Sequence, residues 1–160
     1  MRIRMRTKLL RCVPLLVLLL VVAYGFWRPP SQAVASAATS VSLKPASSTV
    51  DMGEEVLITI QVTDVADLYG ADVRISFDPA LIEVIGPKIE PGTMPYPDFQ
   101  VKNQVDNSAG TIWYAVTQIN PREPVSGSGI MAQFTVRGKA PGTSALTFTN
   151  CQLVTRTGGS

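Results

Sequence analysis

The feature that most constrains the fold is a strict alternation of apolar and polar side chains from Ala71 to Phe77. Successive side chains of a β-strand point to opposite faces, so this period of two predicts a strand with one dry and one wet face. Asp78-Pro79 ends it, because proline has no N–H to donate to a neighbouring strand. The inward set is Ala71, Val73, Ile75 and Phe77, and the outward set is Asp72, Arg74 and Ser76.

Similar alternation recurs along most of the chain after residue 40, with no helical period longer than one turn. Lys44-Pro45 interrupts the first strand and favours an edge position for it. The chain is therefore predicted to be an all-β, two-sheet antiparallel β-sandwich. Strands are predicted within 41–50, over 56–62, 69–77, 99–105, 111–118 and 130–136, within 80–85, and through Leu146 and Phe148; loops are predicted over 51–54, 64–68, 86–98, 106–110 and 120–129.

The first 35 residues have the pattern of a secretory signal peptide. Residues 1–11 carry five basic side chains and no acidic one, residues 12–26 are almost wholly apolar, and Ala33-Val34-Ala35 offers small residues at a cleavage site. The apolar run, about 15 residues, is shorter than the roughly 20 that span a bilayer, so an uncleaved membrane anchor is the weaker alternative. The predicted order is a signal peptide over 1–35, a linker over 36–40 and one domain over 41–160, secreted or held at the cell surface.

Cleavage would change the charge and the cysteine content of the chain. It removes 6 of 14 basic residues and none of 12 acidic ones, so the mature net charge is 8 − 12 = −4. A mildly acidic domain without a basic stripe is a poor partner for nucleic acid or an anionic membrane. Cys12 leaves with the signal, and Cys151 then has no partner for an intrachain disulfide.

The residue content argues against an enzyme. The chain contains no histidine, which excludes Ser-His-Asp, Cys-His and histidine-metal sites. Paired carboxylates remain formally open, but none of the candidates lies in an apolar context that would raise its pKa. Asp64, Asp67 and Asp72 lack the spacing of a calcium loop, so neither a metal nor another cofactor is expected on this chain. The carboxylate candidates are Glu54, Glu55, Glu83, Glu90 and Glu123.

The strand over 111–118 carries an aromatic on each face. If Ile112 and Val116 mark the core side with Tyr114, then Trp113 and Thr117 project outward. An exposed tryptophan is more informative than a buried one, because an exposed large ring often anchors a partner.

Taken in order, several short motifs resemble the cohesin domain of bacterial cellulosomes, the receptor for dockerin modules. They are Gly53-Glu54, Gly70, Phe77-Asp78-Pro79 with Leu81, Pro91-Gly92, Gly110-Thr111-Ile112, and Gly129 with Ala132 and Phe134, and the resemblance covers about residues 41–154. It implies a jelly-roll sandwich, related to some carbohydrate-binding modules, whose polar sheet face receives a dockerin helix. The calcium would be bound by the dockerin.

The resemblance also implies roles for single residues. Asp72 matches the acidic residue that many cohesins present to dockerin. Gly70 stands where the family often has asparagine, and Phe77 where it has tyrosine, so the partner preference is expected to differ. Family members usually finish with another core strand, whereas this chain stops at Ser160, so a final strand is expected to be missing.

Two functions of different class follow from these observations. The first is a protein-binding receptor, with Asp72, Arg74, Ser76, Trp113 and Thr117 as the partner-binding residues. The second is a carbohydrate-binding module that stacks exposed aromatics on the sugar rings of a polysaccharide. That function would need two or three coplanar rings, and only Trp113, with Tyr69 or Tyr96, is available. The third alternative is a structural spacer in a surface protein, with neither binding function.

Overall fold

Every regular element in residues 38–156, the part of the chain that a computed structural model describes, is a β-strand. The predicted signal peptide and its cleavage site lie outside the described residues. No helix in the described range has the length and apolar character needed to span a bilayer. The strands are β1 (Ser40–Lys44), β2 (Glu55–Ser76), β3 (Ile82–Val84), β4 (Glu90–Pro91), β5 (Phe99–Asp106), β6 (Thr111–Thr117), β7 (Val125–Gly138) and β8 (Thr147–Thr155).

One strand of 22 residues, β2, passes through both layers of the fold. Its first part pairs with β1 and β7, and its last part, from Gly70 to Ser76, pairs with β6 and β8. The first sheet therefore contains β1, β2, β7 and β3, with β4 also on β7, and the second contains β8, β2, β6 and β5. The strands of both sheets pair antiparallel, so the predicted two-sheet antiparallel β-sandwich is confirmed.

The loop predicted over 64–68 is wrong, because these residues lie inside β2. The pairing with β7 shifts register on both sides of Val65, and Asp64 and Asp67 have φ values of 51° and 54°. Such bulges bend a strand and increase its twist, and aspartate tolerates this left-handed conformation better than most residues. The N–H groups of Asp64 and Asp67 donate to the hydroxyls of Ser128 and Ser126, each at 2.9 Å. The acids that indicated a loop are the residues at which β2 bends.

The strand β7 begins at Val125, so the loop predicted over 120–129 is too long. Its first residues pair with the bulged middle of β2. A further register shift between Ile60 and Gln61 reverses which side chains of β7 face inward. Met131 is therefore fully buried, whereas Ile130, at the start of the predicted alternation, is 42% exposed.

The inner faces of the two sheets form one apolar core. The inward set of residues 71–77 is buried as predicted, with Phe77 only 6% exposed. Ile112, Tyr114 and Val116 of β6 are buried opposite the same part of β2, which confirms the predicted faces of both strands. Burial also raises the pKa of Tyr114 to about 12.

Two asparagine side chains, from β5 and its turn, hold β3 and the segment over 86–98 that follows it. The amide of Asn103 accepts from the N–H of Ile89 at 2.9 Å and donates to its carbonyl at 2.8 Å. Asn107 makes the same pair of bonds with the backbone of Val84. A side-chain amide replaces a neighbouring strand here, because it offers one donor and one acceptor with suitable spacing. These bonds hold the segment along part of the β5 edge.

Candidate protein-binding face

The outer face of the second sheet presents side chains from four adjacent strands in the order β5, β6, β2 and β8. Residues directly opposite each other in an antiparallel pair lie on the same face, so the pairing defines four rows across the sheet. The rows are Phe99, Thr117, Gly70 and Val154; Lys102, Ala115, Asp72 and Gln152; Gln104, Trp113, Arg74 and Asn150; and Asp106, Thr111, Ser76 and Thr147.

Four of these side chains form a compact group, named here the tryptophan cluster: Asp72, Arg74, Lys102 and Trp113. The indole N–H of Trp113 donates to Oδ1 of Asp72 at 3.1 Å, and Nε of Arg74 lies 3.7 Å from the same oxygen. The guanidinium carbon of Arg74 is 4.1 Å from the centre of the Trp113 ring, and Nζ of Lys102 is 5.3 Å from it. The cations come from the strands on either side of β6, and cation–π attraction holds them against the ring.

The cluster keeps Trp113 in one orientation while leaving the side chain accessible. Trp113 is 38% exposed, and a hydrogen bond and two cations restrain its ring. A restrained aromatic loses little further conformational entropy when a partner covers it, which favours tight binding. The position suits an anchor for a protein partner.

The structure places all five predicted binding residues on this face, but it brings only three of them together. Asp72, Arg74 and Trp113 form the tryptophan cluster, whereas Ser76 and Thr117 lie toward opposite ends of the sheet. The hydroxyl of Thr117 donates to the carbonyl of Gln118 at 3.1 Å, so part of its hydrogen-bonding capacity is used within the fold.

The sequence reasoning missed Lys102, and the reason is a bulge. Strict alternation from Phe99 would place residues 99, 101, 103 and 105 on one face. The pairing of β5 with β6 shifts register between Gln100 and Lys102, which turns Lys102 to the same side as Phe99. Nothing in the local sequence marks that extra residue, because Val101 fits the apolar side of an ordinary strand.

The row at one end of the face is mostly apolar. Phe99 is 55% exposed and Val154 is 38% exposed, and Gly70 lies between Thr117 and Val154 without a side chain. We name Phe99, Thr117, Gly70 and Val154 the apolar row. A β-carbon at Gly70 would lie tight against the Val116 carbonyl and Thr117, so Phe99 and Val154 are the apolar surfaces that this row offers to a partner.

A rim of paired side chains borders the apolar row. Asp98 accepts a 2.6 Å hydrogen bond from Nε of Arg122 and another from the N–H of Ile119 at 3.2 Å. The bond from Arg122 is the main reason that the pKa of Asp98 is lowered. The Arg122 guanidinium also lies 4.4 Å from the centre of the Tyr96 ring, so two loops are joined at this rim.

The opposite end of the face is closed by the β5–β6 turn. Oδ1 of Asp106 accepts bonds from the N–H groups of Ser108 and Ala109 and from the Ser108 hydroxyl, each at 2.9 Å. These bonds, led by the one from Ala109, hold the pKa of Asp106 below its ordinary value. That oxygen of the carboxylate is already engaged within its own turn.

The described residues bring no group of three or more histidine, cysteine, aspartate or glutamate side chains together as a metal site. Cys151 is an exposed free thiol on β8, and partial burial of its sulfur raises its pKa.

The family model of the cohesin domain matches residues 41–159. The chain belongs to the cohesin family. Among curated proteins, none matches the sequence of this cohesin. The resemblance carried by the short glycine and proline motifs is therefore confirmed, and it extends over almost the whole described domain.

Solved cohesin structures share the fold of this cohesin. A non-cellulosomal cohesin from the archaeon Archaeoglobus fulgidus superposes with a TM-score of 0.61 at 16% identity, covering 77% of this chain and 82% of that one. The cohesin of a type II cohesin–X-dockerin complex from Acetivibrio cellulolyticus gives 0.63 at 13% identity, covering 76% and 90%. A type II cohesin domain from the cellulosome of the same organism gives 0.60 at 15%, covering 76% and 85%. The fold thus matches that of dockerin-binding modules.

Proposed function

We propose that this cohesin is a secreted, non-catalytic receptor that binds a calcium-loaded dockerin module on the outer face of its second sheet. Its setting would be a polysaccharide-degrading or cell-surface assembly. The observation that carries the proposal is the tryptophan cluster, in which Asp72 and Arg74 hold Trp113 accessible at the centre of a four-strand face. The cohesin solved with an X-dockerin supports the class of partner.

The composition of the face fits a protein partner. Protein interfaces concentrate binding energy in a few central tryptophan, tyrosine and arginine side chains, surrounded by residues that exclude water. Trp113 and Arg74 pair directly across β6 and β2, with apolar side chains at one end of the face. Ser76 and Thr117 would contribute to the periphery of the contact.

The same geometry weighs against the carbohydrate alternative. Sugar rings bind by stacking on the open face of an aromatic side chain, but Arg74 and Lys102 lie over the ring of Trp113 at 4.1 Å and 5.3 Å. Phe99 is exposed but lies two rows away. The Arg122 guanidinium lies 4.4 Å from the centre of the Tyr96 ring, and the Arg156 guanidinium lies 5.9 Å from that of Tyr69. Each ring predicted from the sequence for stacking, Trp113, Tyr96 and Tyr69, is therefore approached by at least one cation of this chain, which weighs against the carbohydrate function.

The predicted processing supports the same setting. A signal peptide over 1–35 followed by a linker over 36–40 would export the domain, and dockerin-bearing enzymes that degrade polysaccharides act outside the cell. Membrane attachment would require that the signal stays uncleaved.

Isothermal titration against dockerin modules encoded in the same genome tests the proposal. With calcium present, we expect Asp72→Ala and Trp113→Ala each to weaken binding by about 2 kcal/mol or more. Asp72→Ala removes the carboxylate that orients the indole and the Arg74 guanidinium, and Trp113→Ala removes the anchor. The melting curve should barely move for Asp72→Ala, because exposed ion pairs contribute little to stability. Trp113→Ala should lower the melting midpoint, because its ring is only 38% exposed, so binding is compared well below the melting transition of each variant. Leu57→Ala is the matched control, since Leu57 is 52% exposed on the first sheet, away from the proposed contact.

Chelation of calcium should abolish binding by unfolding the dockerin. Binding that does not depend on calcium would contradict the proposal. So would Asp72→Ala and Trp113→Ala variants that bind as tightly as the Leu57→Ala control. Retention of the domain on insoluble cellulose, lost in Trp113→Ala, would instead favour the carbohydrate function.

A further inference from the structure

The charges on the proposed binding face do not follow the charge of the whole domain. Residues after 35 carry a net charge of 8 − 12 = −4. The tryptophan cluster nevertheless contains two cations, Arg74 and Lys102, and one anion, Asp72, so its net charge is 2 − 1 = +1. The remaining ionised group of the four rows, Asp106, is a second anion, so the four rows together are neutral, but it lies in the row at the turn end and not in the cluster. The centre of the face is thus a local positive site in an acidic protein.

The Asp72 carboxylate leaves most of the hydrogen-bond donors of Arg74 without an acceptor inside the cluster. Oδ1 of Asp72 accepts from Trp113 and lies 3.7 Å from Nε of Arg74, beyond ordinary hydrogen-bond length. The Arg74 side chain is 47% exposed, and a guanidinium offers five N–H donors. A partner that covers these donors without supplying an acceptor would leave a desolvated cation, which is costly.

The apolar row lies at a defined distance from this positive site. Trp113 and Thr117 stand 117 − 113 = 4 residues apart on β6, which at about 3.4 Å per residue is about 14 Å along the strand. An α-helix rises about 1.5 Å per residue and covers that length with about nine residues, or two and a half turns. A helix that touches both features must therefore run roughly along the strands.

We propose that the dockerin helix bound by this face presents a carboxylate to Arg74 and Lys102, and aliphatic side chains about two and a half turns away to Phe99 and Val154. The inference rests on the proposed function and adds the chemistry of the partner to it. In this arrangement Asp72 is a positioning residue. It orients the indole and the guanidinium, and the cations make the charged contact with the partner.

A displayed library built on a calcium-loaded dockerin scaffold, with its exposed helix positions randomised, tests the inference without knowledge of the natural partner. Selection on the wild-type domain should enrich aspartate or glutamate at one helix position together with leucine, isoleucine or valine about two and a half turns away. Selection on the doubly substituted Arg74→Glu, Lys102→Glu domain should enrich lysine or arginine at that acidic position. Melting curves establish that the substituted domain is folded.

Single clones give the quantitative comparison. Arg74→Gln and Lys102→Gln should each weaken an acid-bearing clone at least about tenfold, because a buried charge loses its partner. Lys44→Gln, a matched change on the first sheet, should leave the affinity unchanged. Added salt should weaken binding to the wild type more than binding to Arg74→Gln.

The two proposals fail differently in this experiment. Clones that require Trp113 but show no preference for acidic residues, or that ignore Arg74→Gln, would overturn the charge inference and leave the receptor function standing. Absence of any clone whose binding depends on Trp113 would overturn the proposed function itself.

Discussion

Replacement of Phe77 by alanine tests the strand register on which the proposed binding face depends. Phe77 is 6% exposed and ends the inward set of residues, whose neighbours Asp72, Arg74 and Ser76 face outward. A shift of one residue would exchange the two sets completely. The stability of Phe77→Ala therefore reports on the orientation of the functional side chains as well as on the core.

The expected loss follows from the burial of the ring. A buried aromatic side chain removes about 150–250 Å² from water, worth about 4–6 kcal/mol at roughly 25 cal/mol per Å². Alanine retains the β-carbon, so we expect the free energy of unfolding to fall by about 3–5 kcal/mol, as for other large-to-small core changes. That is a large part of the roughly 5–15 kcal/mol that stabilises a typical domain.

Urea denaturation of the chain expressed from Ser36, followed by circular dichroism and by the fluorescence of Trp113, measures this loss. Phe99→Ala is the matched control, because it deletes the same atoms from a residue that is 55% exposed, and it should cost no more than about half as much. If Phe77→Ala were nearly silent, or if both changes cost the same, Phe77 would not be in the core and the assignment of the outer face would be refuted.

Three further outcomes are expected. Mass spectrometry of secreted protein should find Ser36 at the amino end, and retention of the preceding residues would favour a membrane anchor. Gly110→Ala should destabilise the domain at least twice as much as Gly53→Ala, which should cost about 1–2 kcal/mol for its left-handed backbone. Both glycines have positive φ, +65° at Gly110 and +84° at Gly53, but of the two only Gly110 would bring a β-carbon against a backbone atom, the Phe77 carbonyl oxygen. Equal shifts of the melting temperature would contradict this prediction. The folded-state pKa of Asp106 is lowered, so its contribution to stability is present above the ordinary pKa and is lost as the pH falls through the folded value. Asp106→Asn should therefore flatten the decline of the urea midpoint below about pH 4. An unchanged decline would show that the Asp106 carboxylate does not cause this loss of stability.

Sequence patterns predicted the strands where the pairing is regular. The faces of residues 71–77 and of β6 were predicted from alternation alone, and both are confirmed by burial. Over these residues the two strands pair with each other without a register shift, and the extra residues in their other ladders belong to β8 and β5. In such strands the side-chain direction depends only on position along the chain, which is local information.

Bulges limit the same reasoning elsewhere. Asp64 and Asp67 indicated a loop but bend a continuous β2, Val101 turns Lys102 outward, and Met131 replaces Ile130 in the core. In each case one extra residue enters one strand of a pair and reverses the parity of those that follow. Whether the extra residue enters depends on the partner strand, and in β2 that partner is distant in sequence. Ser126 and Ser128 hold the bend of β2 from 59 and 64 residues away.

The sequence by itself determined the class of fold, the inward and outward faces of its two central strands, and the presence of Asp72, Arg74 and Trp113 on one surface. Only the tertiary structure decided that these three meet and that Lys102 joins them. The order of strands β5, β6 and β2 places a cation on each side of Trp113. β5 and β6 are joined by a short turn, but the pairing of β6 with β2 joins segments about 40 residues apart. No local period encodes that pairing, because a strand has the same alternation whichever neighbour it has.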